Sequence, residues 1–316
     1  MWIVGIDEAG YGPNLGPFVM TAVACRAPAE HEGADLWGLL GDAVRRAADP
    51  RDDRLVVDDS KEVFKGARGL GGLERALVAL AGGLPGSLAG LVERLCPDDH
   101  ADLARERWYT GATPLPAACA PADLDGACQR FGGACSGRSV GSWLARSVVL
   151  CPPRFNALVD EGGSKGAVLG HGFIRLLRWA LERTDGPEPL AVFIDKQGGR
   201  NAYAAQIQQA LPAGLVAAVE EGLGRSAYRV LGIERSVRLT FQPRADSTCF
   251  CVALASMVSK YLRELFMGEF NRFWQQHVPG LAPTAGYPGD AARFLEAIRA
   301  AAATLEIAEE AIWRRR

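Results

Sequence analysis

Several features are scarce in this sequence, and each scarcity excludes a class of protein. The eight cysteines include no Cys-x-x-Cys pair and only four histidines are present, so we expect reduced, mostly buried thiols rather than a disulfide framework or a zinc centre. No uninterrupted apolar run approaches the roughly 20 residues that a membrane span needs. The segment from Met1 to Asp7 also lacks the basic and apolar regions of a signal peptide. We therefore expect a cytoplasmic protein with no membrane association.

A strong net charge is also missing. The 35 Lys and Arg residues nearly balance the 37 Asp and Glu residues, and the formal net charge is −2. No global positive field therefore attracts nucleic acid, and any surface that binds phosphate must be local. The 48% hydrophobic and 23% charged composition is that of a globular protein, long enough at 316 residues for one large domain or two small ones.

The pattern of apolar residues predicts an α/β fold, a mixed β-sheet covered by helices. The strands are predicted at residues 2–6, 18–25, 55–57, 190–194 and 237–241, the first two pairing antiparallel. The helices are predicted at 73–81, from 170 to a stop at 185–187, at 202–211, at 247–274 and from about 291. Residues 83–137 are rich in Gly, Pro, Ala and Cys, and we predict an insertion of unknown role, or a small subdomain, within a domain of residues 1–82 and 138–316.

Acidic residues stand at the ends of three apolar strands. Asp7 and Glu8 follow the first strand, Asp195 follows residues 190–194, and Asp246 follows residues 237–241. Sites in open α/β sheets form at the carboxyl ends of strands, and clustered carboxylates there favour hard divalent cations, which offset their repulsion. A pair of such ions can activate water for phosphodiester cleavage.

The same acids have a second interpretation. An isolated Asp after a strand is most often a turn or N-cap residue, so spacing alone leaves a metal site undecided. Asp160 and Asp185 compete with Asp195 for the third position, but neither follows so apolar a strand.

Four motifs add specificity. They are residues 4–17 (VGIDEAGYGPNLGP), Asp59-Ser60-Lys61, Ala245-Asp246 with residues 255–263 (ASMVSKYLR), and Gly286-Tyr287-Pro288-Gly289 before a late helix. In this order, and spanning nearly the whole chain, they resemble the signatures of the type 2 ribonuclease H family, RNase HII.

The resemblance implies an RNase H-like fold and a metal-dependent endoribonuclease. Such an enzyme hydrolyses the RNA strand of RNA–DNA hybrids, or ribonucleotides embedded in DNA, and leaves 3′-hydroxyl and 5′-phosphate ends. The family's residues correspond to catalytic and metal-binding acids at Asp7, Glu8, Asp195 and Asp246, which would hold two Mg²⁺ or Mn²⁺ ions. They also correspond to substrate contacts at Gly10, Tyr11 and Gly12 (the 2′-hydroxyl), Lys61 (phosphate) and Tyr287 (the sugar).

Two departures from the family concern substrate recognition. Tyr11 replaces a basic residue of the first motif, and Thr284-Ala285 replaces a His-Lys pair before Gly286. They leave two alternatives open, a nuclease of the same fold that acts on other DNA or RNA structures and a noncatalytic protein that binds nucleic acid. The sequence does not identify protein partners.

Three further segments have ordinary interpretations. Ser256 and Lys260 are as well explained by a plain helix face as by a site. The glycine-rich run 161–166 lacks the spacing of a phosphate-binding loop and is expected to be a plain loop. Residues 314–316, three arginines, are expected to form a solvated tail.

Overall fold

The computed structural model describes residues 1–29, 35–46, 49, 52–65, 69–81, 83–184 and 186–315. The strands are β1 (Trp2–Ala9), β2 (Phe18–Arg26), β3 (Val44–Arg45), β4 (Leu55–Val56), β5 (Gly141–Leu150), β6 (Leu190–Asp195), β7 (Leu215–Glu221), β8 (Ser226–Leu231) and β9 (Val237–Gln242). The helices are α1 (Leu36–Leu39), α2 (Ser60–Lys65), α3 (Leu70–Ala81), α4 (Leu88–Leu95), α5 (His100–Leu103), α6 (Pro121–Gly137), α7 (Pro152–Gly162), α8 (Lys165–Arg183), α9 (Ala204–Ala210), α10 (Phe250–His277), α11 (Pro288–Thr304) and α12 (Glu309–Ile312).

Seven strands form the main sheet in the order β5-β2-β1-β6-β9-β8-β7. The three central strands β1, β6 and β9 run parallel, so their carboxyl ends share one edge of the sheet. Strand β1 also pairs antiparallel with β2 as far as Ala9↔Val19. Because this pairing extends β1 past Ile6, Asp7 and Glu8 lie within the strand. The prediction that the strand ends before them is wrong.

Side chains of β1 alternate between two hydrophobic cores. Ile3 packs with α10 and α3, whereas Val4 and Ile6 pack with α7, α8 and α9 on the opposite face. A β-carbon added at Gly5 would lie 2.1 Å from the Val252 backbone nitrogen. Only glycine at this position therefore lets α10 approach β1 so closely. This contact brings the first turn of α10 against the middle of β1.

Most predicted elements are confirmed, with several differences. Strand β4 pairs only with β3, in a separate two-stranded sheet, and α11 is followed by the short helix α12. The prediction includes neither β5, β7 and β8 nor helix α7. All eight cysteines are free and six are buried, as predicted. The mixed sheet flanked by helices is confirmed, and no helix of the described ranges is long and apolar enough to span a bilayer.

Residues 83–137 contribute to the main core. Leu88, Leu91 and Leu95 of α4 and Phe131 of α6 are buried there. Two buried carboxylates, Glu74 of α3 and Glu269 of α10, accept main-chain hydrogen bonds from residues 110–119. The region is therefore ordered by contacts with α3 and α10.

Residues 313 and 314 pack against the turn that follows β1. The Arg314 side chain is fully buried beneath this turn. The expectation of a solvated tail is therefore wrong for Arg314. Arg316 and Asp185 lie outside the described residues.

Candidate active site

The four acids line one cleft of about 330 Å³ at the carboxyl edge of the central strands. Asp7 and Glu8 come from β1, Asp195 is the last residue of β6, and Asp246 lies in a 3₁₀ turn, Ala245–Ser247, after β9. The cleft is lined by Asp7, Glu8, Ala9, Gly10, Tyr11, Gly12, Pro13, Asp59, Ser60, Lys61, Asp195, Asp246, Ser256, Lys260, Arg263 and Tyr287. All nine residues assigned from the sequence are among them.

Asp7 is held against α10. Its Oδ1 accepts a hydrogen bond of 2.8 Å from the Glu8 amide, and its carboxyl is also hydrogen-bonded to Ser256. The Ser259 hydroxyl donates to the Asp7 carbonyl at 3.1 Å. Burial, and then the charges of Glu8 and Asp195, raise the pKa of Asp7 well above its usual range.

The other acids are also close enough to affect one another. Burial and the nearby charge of Asp195 raise the pKa of Glu8 to about 7. The Ala245 amide donates to Asp195 Oδ1 at 2.9 Å, while burial raises the pKa of Asp195. Burial and the charges of Asp59 and Asp195 raise the pKa of Asp246. Each carboxyl thus disfavours a negative charge on its neighbours.

The chemistry of these donors fits a hard divalent cation. All four are carboxyl groups, and a bound cation would favour the charged form that burial, and for Asp7, Glu8 and Asp246 also a neighbouring acid, disfavours. Within the described ranges, no three His, Cys, Asp or Glu side chains converge closely enough to enclose an ion by themselves. Mg²⁺ commonly takes one or two protein carboxylates and completes its octahedron with water and phosphate oxygens.

A tight turn, residues 10–16, forms the wall beside Glu8. Gly10 has φ +86°, and a β-carbon there would lie 2.4 Å from Arg263 Nε. The Arg263 guanidinium donates to the carbonyls of Leu15 and Ala285, both at 3.1 Å, so the turn is bonded to α10 and to the segment before Tyr287. Tyr287 itself is 47% exposed at the rim. Glycine at position 10 lets the main chain approach Arg263.

Residues 312–315, here named the C-terminal strap, support this turn from behind. Trp313 forms an isolated β-bridge with Leu15, and the Arg314 amide donates to the Asn14 carbonyl at 2.8 Å. The Arg314 guanidinium donates to the Pro13 carbonyl and lies 4.6 Å from the centre of the Phe155 ring. No local signal in the sequence indicates this role, because the contacts join residues about 300 positions apart.

The opposite wall carries Lys61, Ser256 and Lys260. Ser256 bonds to Ser60 at 3.0 Å, and Lys260 forms an ion pair with Glu264 on the same helix. Both residues line the cleft. Asp59, which the sequence analysis treats only as part of a motif, also lines it and caps α2 by accepting from the Lys61 amide at 2.7 Å.

The competitor Asp160 does not reach the cleft. Its side chain is exposed on α7 and pairs with Arg315. Asp185 is outside the described ranges. Of Asp160 and Asp195, only Asp195 lines the cleft.

Solved ribonuclease structures resemble this chain. The RNase HII of Archaeoglobus fulgidus, solved in a complex with PCNA, is 12% identical, with a TM-score of 0.45 over 100% of this chain and 95% of that one. The ribonuclease H2 of Pyrococcus horikoshii OT3 is 14% identical, with a TM-score of 0.44 over 99% and 92%. Bst-RNase HIII in complex with Mn²⁺ is 16% identical, with a TM-score of 0.45 over 99% of this chain and 66% of that one.

No protein-family model matches the sequence, and no curated protein matches it.

Proposed function

We propose that this chain is a metal-dependent endoribonuclease. It would hydrolyse the RNA strand of RNA–DNA hybrids, or ribonucleotides embedded in DNA, leaving 3′-hydroxyl and 5′-phosphate ends. The observation that carries the proposal is the meeting of Asp7, Glu8, Asp195 and Asp246 in one cleft. Buried carboxyls that raise one another's pKa are costly to keep together unless a cation binds them.

The four acids would hold two Mg²⁺ or Mn²⁺ ions. When bound, such ions offset the negative charge of the site, polarise the phosphodiester and lower the pKa of a coordinated water. The chain's own groups would position the nucleic acid. The turn at Gly10, Tyr11 and Gly12 would present main-chain groups to a 2′-hydroxyl, which distinguishes RNA from DNA. Lys61 would contact phosphate and Tyr287 would contact a sugar.

The test is cleavage by matched variants. Asp7→Asn, Asp195→Asn and Asp246→Asn should each reduce cleavage of a hybrid at least about 100-fold, because each removes an anionic ligand. Asp160→Asn is the control, since Asp160 is exposed on α7, away from the cleft, and its loss should leave the rate unchanged. The assay compares Mg²⁺, Mn²⁺ and a chelator. Cleavage by Asp7→Asn at the unaltered rate would overturn the mechanism.

Tyr11 supports a second candidate, a nuclease of the same fold that acts on other DNA or RNA structures. Its side chain lines the cleft where the resembling family carries a basic residue. A hybrid, a duplex with one ribonucleotide, plain duplex DNA and a branched junction separate the two candidates. Preference for DNA or for the junction would favour the second.

A noncatalytic role in binding is less well supported. It predicts binding of hybrid without cleavage in either ion. Clustered carboxylates repel phosphate, so a protein that only binds nucleic acid gains nothing from four acids in its binding cleft.

A further inference from the structure

Positive charge within the cleft is largely engaged by the protein itself. Lys260 pairs with Glu264 and lies 4.5 Å from the Phe64 ring centre. Arg263 is only 2% exposed and donates to main-chain carbonyls. Lys61 is exposed, and its charge acts on Glu8 and Asp195. It belongs to α2, which packs with α3 and α10 on one face of the sheet. A phosphodiester strand in this acidic cleft needs further cations.

Two cations lie beside Tyr11, on the side of the sheet covered by α8. Lys165 is the first residue of α8, and its Nζ is 5.7 Å from the Tyr11 ring centre and 5.9 Å from that of Phe155. Arg200 comes from the loop after β6. A β-carbon added at Gly166 would lie 3.2 Å from Arg200 Nη2, so this guanidinium packs on the first turn of α8, next to Lys165.

Tyr11 connects this pair to the acids. Burial raises the pKa of the Tyr11 hydroxyl, the charge of Glu8 raises it further, and the charge of Arg200 opposes both. Tyr11 is therefore within electrostatic reach of a catalytic acid on one side and of Arg200 on the other. Lys165 and Arg200 lie outside the lining of the cleft and are connected to it by Tyr11, so any phosphate that they contact would be next to the scissile one.

We propose that Lys165 and Arg200 form a phosphate-binding site for the nucleic-acid strand, beside Tyr11 and across the sheet from Lys61. The site would supply positive charge beside Tyr11, which replaces a basic residue of the first motif. Arginine provides a planar fork for two phosphate oxygens and lysine a mobile point charge, so the pair suits one phosphodiester. This inference rests on the proposed nuclease function and adds a substrate contact to it.

Binding of a fluorescent RNA–DNA hybrid tests the site. Asp7→Asn prevents cleavage, and Lys165→Gln and Arg200→Gln are added to it singly and together. The double variant should bind about fivefold more weakly near 0.1 M salt, and its plot of log Kd against log salt should be shallower by about one phosphate contact. The control is Arg225→Gln with Arg299→Gln, which neutralises two exposed, ion-paired arginines outside the cleft and should change the slope little.

A hybrid series with one neutral methylphosphonate linkage at each position locates the contact. In the Asp7→Asn protein with Lys165 and Arg200 unaltered, one linkage near the cut should weaken binding about fivefold. In the double variant that penalty should disappear. Lys165→Arg should retain the penalty, since it keeps the charge beside Tyr11. Matching thermal unfolding of the variants verifies that they fold.

The outcomes separate this inference from the proposed function. If the unaltered chain cuts ribonucleotide-containing duplexes but the double variant has the control's salt slope and keeps the methylphosphonate penalty, Lys165 and Arg200 do not bind phosphate. If the unaltered chain cuts no such duplex with either ion, the proposed function fails, and the phosphate site fails with it.

Discussion

At the scale of single residues, the turn beside Glu8 depends on Gly10. Its φ of +86° lies in the left-handed region, and the space where a β-carbon would point is filled by the Arg263 side chain. A side chain at this position would strain the backbone and displace Arg263, which is bonded to Leu15 and Ala285. Two separate penalties therefore act on any substitution.

We predict that Gly10→Ala lowers the free energy of unfolding by about 1–3 kcal/mol and reduces cleavage at least about tenfold. Gly12→Ala is the matched control for stability, because a β-carbon at Gly12 meets no atom within 4 Å and its φ is not in the left-handed region. Urea unfolding and initial rates on a hybrid measure the two effects. Equal stability of the two variants would contradict the role assigned to Gly10.

At the scale of elements, Glu269 holds the 110–113 segment against α10. Its carboxylate accepts from the Thr110 and Gly111 amides at 2.7 and 3.1 Å, and from the hydroxyls of Thr110 and Thr113 at 2.9 and 2.8 Å. Burial by itself would raise the pKa of Glu269, but these hydrogen bonds outweigh burial and lower it below the ordinary 4.5.

We predict that Glu269→Gln lowers the free energy of unfolding at pH 7 by about 2 kcal/mol, because an amide NH₂ would face donors. A lowered pKa in the folded state means that the stabilisation is present above the unfolded pKa and is lost as pH falls through the folded value. The difference between the two proteins should therefore shrink below about pH 4. Urea unfolding from pH 3 to 7 measures it, with exposed Glu296→Gln as control. A difference that does not change with pH would contradict this account.

Elements with a strong apolar period could be predicted from the sequence. β1, β6 and β9 are apolar runs that end near acids, and α10 has a long apolar face. The central sheet and its acidic edge could therefore be predicted. β7 could not be predicted, because it is an edge strand in which apolar and polar residues do not alternate. Its Leu215 and Val219 side chains are 65% and 59% exposed. The outer half of β5 is only partly buried, which removes the same signal.

Long-range polar contacts also could not be predicted from the sequence. Residues 110–119 have weak periodicity because Glu74 and Glu269, distant in sequence, order them. Burial of Arg314 depends on carbonyls near the other end of the chain. The motifs indicated which residues meet in the cleft, but not which groups support them.

At the scale of the whole molecule, the C-terminal strap connects the two ends of the chain at the cleft. We predict that a chain shortened after Ala311 still folds, because the main sheet and α10 form the principal cores without it. The turn at residues 10–16 would lose its bonds from Trp313 and Arg314, so kcat/KM on a hybrid should fall at least about tenfold.

Circular dichroism and initial rates measure folding and activity of the shortened chain. Arg315→Ala is the control, because its exposed ion pair with Asp160 contributes little and its main chain still follows Arg314. Full activity of the shortened chain would mean that the strap is dispensable for the turn.

The strap also bears on how the molecule is made. The turn begins ten residues from one end and receives its last supports from residues 313 and 314. Closing so long a loop costs more entropy than forming local contacts, so the turn acquires this backing late in folding, after the sheet and α10. Completion of the cleft wall thus depends on a contact between segments about 300 residues apart.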